Sequence, residues 1–138
     1  MREGTLNSWF NTTTGGRQGC PLSPVLFNIF IENIMSEALQ TFNGTVSVGG
    51  RNISNLRFAD DIDLMAGSRK ELGELTELVD TTSAAYGMEV NTEKSKIMAI
   101  ATDKTKPEIK VKGKTLEQVG SFKYLGTQIT KTEGQIRR

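Results

Sequence analysis

Apolar positions along the chain recur in two helical stretches separated by short alternating ones. Leu26, Phe27, Phe30, Ile31, Ile34, Met35, Ala38, Leu39 and Phe42 fall at helical spacing, with Asn28, Glu32, Asn33, Ser36, Glu37 and Gln40 between them. That spacing predicts an amphipathic helix of about five turns. Ser23-Pro24 supplies a start signal, with Ser as the N-cap and Pro in the first turn. A second helix is predicted from about Arg69 to Tyr86, with Leu72, Leu75, Val79, Thr82 and Tyr86 on its inner face. Ser68 and Glu71 form a capping-box pattern, and Gly87 suits the position just past the end. Between the helices, Thr45–Val48 and Arg51–Ser54 flank Gly49-Gly50 as a hairpin, and Leu56–Ala59 and Ile62–Ala66 flank Asp60-Asp61 as two more strands. Beyond the second helix, residues 96–102, 108–112 and 122–130 read as strands, with Lys112-Gly113 as a turn. Helices interleaved with tight hairpins predict an α+β fold, in which two helices pack on one face of an antiparallel sheet.

Composition narrows the chemistry. The chain has 138 residues, enough for one modest domain, and a formal net charge of +1. It contains no His and one Cys. A Ser-His-Asp triad, an imidazole-ligated metal and an internal disulfide are therefore excluded. The balanced total hides a gradient: residues 1–68 carry −2, residues 69–93 carry −4 and residues 94–138 carry +7. A basic segment marks either a polyanion contact or a lysine-studded sheet edge. The longest uninterrupted apolar run, Ile97 to Ala101, is too short to span a bilayer, and no membrane partner is expected.

Two stretches carry candidate chemistry. In Leu56-Arg57-Phe58-Ala59-Asp60-Asp61-Ile62-Asp63-Leu64, two adjacent carboxylates lie between apolar β-runs. In a regular strand neighbours point to opposite faces, but at a hairpin turn they converge, and converging carboxylates suit Mg²⁺, which takes one or two of them plus phosphate oxygens. A plain Asp-Asp turn has the same pattern. The second stretch, Gly15-Gly16-Arg17-Gln18-Gly19-Cys20-Pro21-Leu22-Ser23-Pro24, is a Gly-rich loop leading into a helix, a construction that approaches phosphates or bases closely.

Taken in order, these stretches resemble the reverse transcriptase family, in the form found in retroelements without long terminal repeats. Gly-x-Arg-Gln-Gly-x-x-Leu-Ser-Pro-x-Leu-Phe over residues 15–27 resembles the segment before that family's long palm helix, and Phe58-Ala59-Asp60-Asp61 resembles its catalytic hairpin. Gly87-Met88-Glu89-Val90-Asn91 with Lys94-Ser95-Lys96, and Phe122-Lys123-Tyr124-Leu125-Gly126, resemble two later family segments. Gly16 departs from the aliphatic residue usual in relatives.

The resemblance implies an RNA-directed DNA polymerase palm, incomplete here. Its reaction joins a deoxynucleotide to a primer 3′-hydroxyl with two Mg²⁺ ions, Mn²⁺ being the alternative. On that reading Asp60 and Asp61 are catalytic and metal-binding. Lys94 or Lys96 meets the departing pyrophosphate, either being equally a solvated loop lysine. Arg17, Gln18, Gly19, Phe58 and Ala59 contact template and nucleotide, with Arg17 alternatively only steadying its loop. Tyr124, Leu125 and Gly126 support the primer. Asp63, on the face opposite Ile62 and Leu64, reads as a surface residue rather than a third acid. Trp9 and Phe10 read as strand-face packing.

The implied partners are an RNA template, a DNA primer, a deoxynucleoside triphosphate and the remaining fingers, palm and thumb of a parent polymerase. The nucleus is the compartment expected for such a parent. Residues 1–130 are expected to form a partial domain and residues 131–138 the start of a thumb. The upstream catalytic Asp of the family has no counterpart in the sequence, which predicts an inefficient polymerase and leaves Phe27, Phe30 and Ile34 partly exposed. The alternatives are a non-catalytic nucleic-acid-binding module or a decayed retroelement remnant.

Overall fold

A computed structural model describes residues 19–99 and 108–130. Helix α1 spans Ser23–Leu39. Leu22 already has helical angles, φ −83° and ψ −20°, so the helix begins a residue earlier than Ser23 as N-cap requires. Ser23 N–H donates to the Cys20 carbonyl at 3.1 Å, and no side chain caps the end. The expected capping role of Ser23 is therefore replaced by a turn over Cys20–Ser23. Ile31, Ile34, Met35 and Ala38 are buried along α1 at helical spacing.

Helix α2 spans Arg69–Ala85, as its pattern predicts. Ser68 Oγ accepts from the Glu71 N–H at 3.1 Å. The Glu71 carboxylate does not return to the cap residue; it reaches back to the Gly67 N–H at 2.8 Å. The same oxygen accepts from Thr45 Oγ1 at 2.9 Å, which ties the start of α2 to the chain before the first hairpin. The other end closes with a Schellman motif: Gly87 at φ +75° sends its N–H to Ala84 and Met88 sends its N–H to Ser83. Leu75, Thr76 and Val79 are buried, whereas Tyr86, expected inside, is exposed. Its ring meets Phe30 edge-on at 5.8 Å and its hydroxyl donates to Glu37 of α1.

The strands among the described residues form five two-stranded ladders. β1 (Ser47–Val48) and β2 (Arg51–Asn52) pair antiparallel across Gly49-Gly50. β3 (Asn55–Phe58) and β4 (Asp61–Leu64) pair antiparallel across Ala59-Asp60. β5 (Lys96–Ile97) pairs parallel with β8 (Glu117–Gln118), while β6 (Lys110–Val111) and β7 (Lys114–Thr115) form a hairpin over Lys112-Gly113. β9 (Ser121–Tyr124) and β10 (Thr127–Thr130) are antiparallel. The single strand expected over 122–130 is thus a hairpin, because Leu125 (φ +46°) and Gly126 (φ +83°) both adopt left-handed angles, the pattern of a tight I′ turn. The expectation of one antiparallel sheet is also corrected among the described residues. Most strands are only two residues long, the four-residue pairs β3–β4 and β9–β10 each stand alone, and one ladder is parallel.

Two apolar clusters hold these parts. Ile31, Met35 and Ala38 of α1 meet Leu75 and Val79 of α2, with Phe27, Phe42, Ile62, Leu64 and Met88 packed against them. Ile97, Ile109, Val111 and Leu116 form a second cluster, completed by Leu72 of α2 and by Val90. Of the three apolar residues expected to be partly exposed on α1, Ile34 is 1% accessible, Phe27 is half-buried and Phe30 is exposed. Exposure falls instead on Leu22, Val25, Leu26 and Ile29 in the helix's first half. No helix among the described residues is long and apolar enough to cross a membrane.

Candidate active site

The β3–β4 hairpin presents the paired carboxylates because its two faces are chemically opposite. Arg57 lies opposite Ile62 and Asn55 opposite Leu64, while Leu56 lies opposite Asp63 and Phe58 opposite Asp61. Alternation then puts Ile62 and Leu64 against the helices and Asp61, Asp63, Leu56 and Phe58 on the other face. Asp60 is the second turn residue and Asp61 the first residue of β4, both exposed. The carboxylates are therefore adjacent at the tip of a ribbon rather than on opposite faces of a continuous strand.

The tip is strained at one residue. Ala59 has φ +54°, a conformation that L side chains adopt at a cost of roughly 1–2 kcal/mol. Only the first central residue of this turn has positive φ, whereas the turns at Gly49-Gly50, Lys112-Gly113 and Leu125-Gly126 have it at both. Arg57, two residues before the turn, binds Glu32 of α1 through Nη1 at 2.7 Å.

Asp63 is half-buried, not a plain surface residue. Burial raises its carboxyl above the ordinary range, and the neighbouring charge of Asp61 raises it further. Tyr124, the last residue of β9, lies within the same field: desolvation raises its phenol, followed by the charges of Asp63 and Asp61. The structure thus brings Phe58, Ala59, Asp60 and Asp61 together on one hairpin, and Tyr124 lies within electrostatic reach of Asp63 and Asp61. Leu125 and Gly126 form the turn that follows. A period of two from Asp61 to Asp63 was the available sequence signal for their shared face. The Arg57–Glu32 pair and the proximity of Tyr124 join residues far apart in the chain and left no local signal.

The lysines divide. Lys96 is ion-paired with Glu117, its cross-strand partner in the β5–β8 ladder, within the second cluster. Lys94 has its backbone N–H bound by Asn91 Oδ1 at 3.1 Å in a turn that Asn91 also holds through Glu93 and Ser95, and its side chain is exposed. Lys112 pairs with Glu89 and Lys110 with Glu108, so with Lys96 three of the segment's lysines have a carboxylate partner. Lys112 donates to Glu89 and holds that carboxyl below its usual range. Gly19 has φ +88° and open space where a Cβ would stand, just before α1. Arg17, Gln18, Trp9, Phe10 and residues 131–138 lie outside the described residues.

A cation at the hairpin would meet oxygen donors only, which suits a hard ion such as Mg²⁺. Asp60 and Asp61, adjacent and exposed at the turn, supply carboxylate oxygens, the donor type such an ion takes. No cluster of three or more His, Cys, Asp or Glu side chains forms a metal-holding group among the described residues.

Comparison with known proteins gives the family. The family model described as "Reverse transcriptase (RNA-dependent DNA polymerase)" matches residues 1–129. The chain belongs to the reverse transcriptase family, in the branch of retroelements without long terminal repeats. It is 31% identical over 130 residues to a Retrovirus-related Pol polyprotein from type-1 retrotransposable element R2 of Popillia japonica, covering 86% of this chain and 21% of that protein. A polyprotein of the same description from Nasonia vitripennis is 29% identical over 133 residues, covering 88% of this chain and 13% of that protein. The Retrovirus-related Pol polyprotein from type-2 retrotransposable element R2DM of Drosophila melanogaster is 28% identical, covering 98% of this chain and 13% of that protein. The chain therefore spans from about an eighth to about a fifth of the length of these three relatives. No solved structure matches it significantly.

Proposed function

We propose that this chain is the catalytic-hairpin portion of an RNA-directed DNA polymerase, which joins a deoxynucleoside triphosphate to a DNA primer 3′-hydroxyl on an RNA template. The observation that carries the reading is the turn that presents Asp60 and Asp61 side by side, exposed, at the tip of β3–β4. Asp60 and Asp61 would hold Mg²⁺, or Mn²⁺ in its place, and the bound ions would offset charge on the reacting phosphates and on the attacking and leaving oxygens.

The other residues bind and orient. Phe58, exposed beside the carboxylates, offers an apolar face to the terminal base pair, and Ala59 lets backbone approach it closely. Tyr124, Leu125 and Gly126 lie at the turn of the β9–β10 hairpin, where Tyr124 feels the charges of Asp63 and Asp61, and the family resemblance gives this segment the role of steadying a primer end. Gln18, Arg17 and Gly19 take the nucleotide and template roles that the family resemblance gives them. Lys94 is the better candidate to protonate departing pyrophosphate, because Lys96 is held by Glu117. The lysine pairs with Glu89, Glu108 and Glu117 count against a purely electrostatic nucleic-acid-binding module.

With no third converging acid among the described residues, the 138-residue chain should bind metal weakly and extend a primer inefficiently by itself, and segments of a longer polymerase are the proposed partners that complete the site. The test has two parts. Mn²⁺ titration followed by electron paramagnetic resonance should show binding that Asp60→Asn removes. Primer extension on an RNA template should show no product above background. Template-dependent extension lost in Asp60→Ala would refute the claim of inactivity, and Mn²⁺ binding insensitive to Asp60→Asn would refute the site.

A further inference from the structure

We propose that Arg57 is a positioning residue, whose ion pair with Glu32 seats the carboxylate hairpin on α1 and so sets the direction in which Asp60 and Asp61 face. The inference rests on the reading of that hairpin as the metal-holding site, and it adds a residue to which neither the family match nor the relatives give a role.

The geometry begins with the ladder. β3–β4 is a ribbon of two strands that shares no backbone ladder with a third strand among the described residues. A two-stranded ribbon twists readily, so its orientation comes from what its faces touch. Toward the helices, the cross-strand pair nearest the turn on that face is Arg57 and Ile62. Ile62 contributes apolar contact with the first cluster, which is non-directional. Arg57 contributes the directional element: a guanidinium nitrogen 2.7 Å from a Glu32 oxygen. The two anchors stand at the same level of the ribbon, a short lever from Ala59-Asp60.

The accessibilities separate positioning from stability. Arg57 keeps 28% of its side chain accessible and Glu32 keeps 64%. An ion pair so open to water adds little to global stability. Its loss should therefore leave the two helices and their core intact while freeing the ribbon's turn end to tilt. A strained turn such as Ala59-Asp60 depends on such support, because a left-handed non-glycine residue persists only where its surroundings over-determine it.

The test uses the 138-residue chain. Amide hydrogen exchange over Leu56–Asp63 should run roughly five-fold faster in Arg57→Gln than in wild type, with peptides from α1 and α2 unchanged. The charge-swapped double variant, Arg57→Glu with Glu32→Arg, should restore slow exchange. In parallel, the Kd for Mn²⁺ should rise roughly five-fold in Arg57→Gln and recover in the swap, as expected when a carboxylate pair loses its preset orientation. Unchanged hairpin exchange, an equal rise in α1 and α2, or no recovery in the swap would each overturn the tether. Faster exchange with unaltered Mn²⁺ affinity would overturn the positioning role. Mn²⁺ binding that ignores Asp60→Asn would sink the functional reading instead, while the exchange comparison would still decide whether Arg57 seats the hairpin.

Discussion

Gly67 is the tightest point of the link between α2 and the start of the first hairpin, and Gly67→Ala tests how that link works. A Cβ at Gly67 would stand 2.1 Å from Thr45 Oγ1, 3.3 Å from Thr45 Cβ and 3.4 Å from Glu71 Oε2. Gly67 is not among the glycines with left-handed φ, so alanine meets no backbone penalty and the whole effect is contact. The hydroxyl must leave, which breaks its 2.9 Å bond to Glu71, and the Thr45 Cβ must yield by a few tenths of an ångström. Loss of one exposed hydrogen bond costs about 0.5–1.5 kcal/mol, and overpacking adds about 1 kcal/mol. Urea unfolding followed by circular dichroism should therefore show Gly67→Ala less stable by about 1.5–2.5 kcal/mol. Thr45→Ala alone should cost about 0.5–1.5 kcal/mol. In the Thr45→Ala background the hydroxyl clash is gone and only the 3.3 Å approach to the residue-45 Cβ remains, so Gly67→Ala should cost only about 0.5 kcal/mol. The expected coupling is about 1–2 kcal/mol between residues 22 positions apart. Additive effects of the two substitutions would refute the clash as the cause.

Three further outcomes are expected. Ala59→Gly should raise the unfolding free energy by about 1 kcal/mol, because glycine accepts φ +54° without strain; a loss of stability in the same urea assay would argue that Ala59 is not strained. Leu75→Ala should cost about 2–5 kcal/mol, since Leu75 is wholly buried between the helices, and a loss under 1 kcal/mol would contradict the packing. The Tyr86 phenol is raised by its hydrogen bond to Glu37 and then by that carboxylate's charge. A raised folded-state value means that its contribution to stability is present below the ordinary tyrosine range and is lost as pH rises through the folded value. Absorbance titration near 295 nm should show Tyr86 ionising earlier in Glu37→Gln, and an unmoved curve would refute the bond.

Legibility in the sequence followed how local the determining interaction is. The β3–β4 hairpin could be read because two acids interrupt two apolar runs, and α2 because its cap, apolar stripe and terminal glycine agree. Phe122 to Thr130 misled because Tyr124, Leu125 and Ile129 belong to a strand-like composition, and Gly126 alone marked the turn. Leu125 takes a left-handed angle that its side chain disfavours, which only the pairing of β9 with β10 enforces. The parallel contact of β5 with β8 joins Lys96 to Glu117 across 21 positions, beyond any local pattern. Ser23 had the chemistry of a cap, but a turn from Cys20 started the helix before it. The half-burial of Asp63 depends on the packing around β4, which alternation along the strand does not reveal.

Helix α2 has a consequence for how the molecule comes apart. Leu75 and Val79 belong to the first cluster and Leu72 to the second, on a single rod closed at one end by Ser68 and at the other by Gly87. Neither cluster has a helix of its own in reserve on that side. Fraying α2 would strip both interiors together, so the β3–β4, β5–β8 and β6–β7 ladders, which share no backbone pairing with one another, should melt in one step, the carboxylate tip together with Lys96 and Lys110.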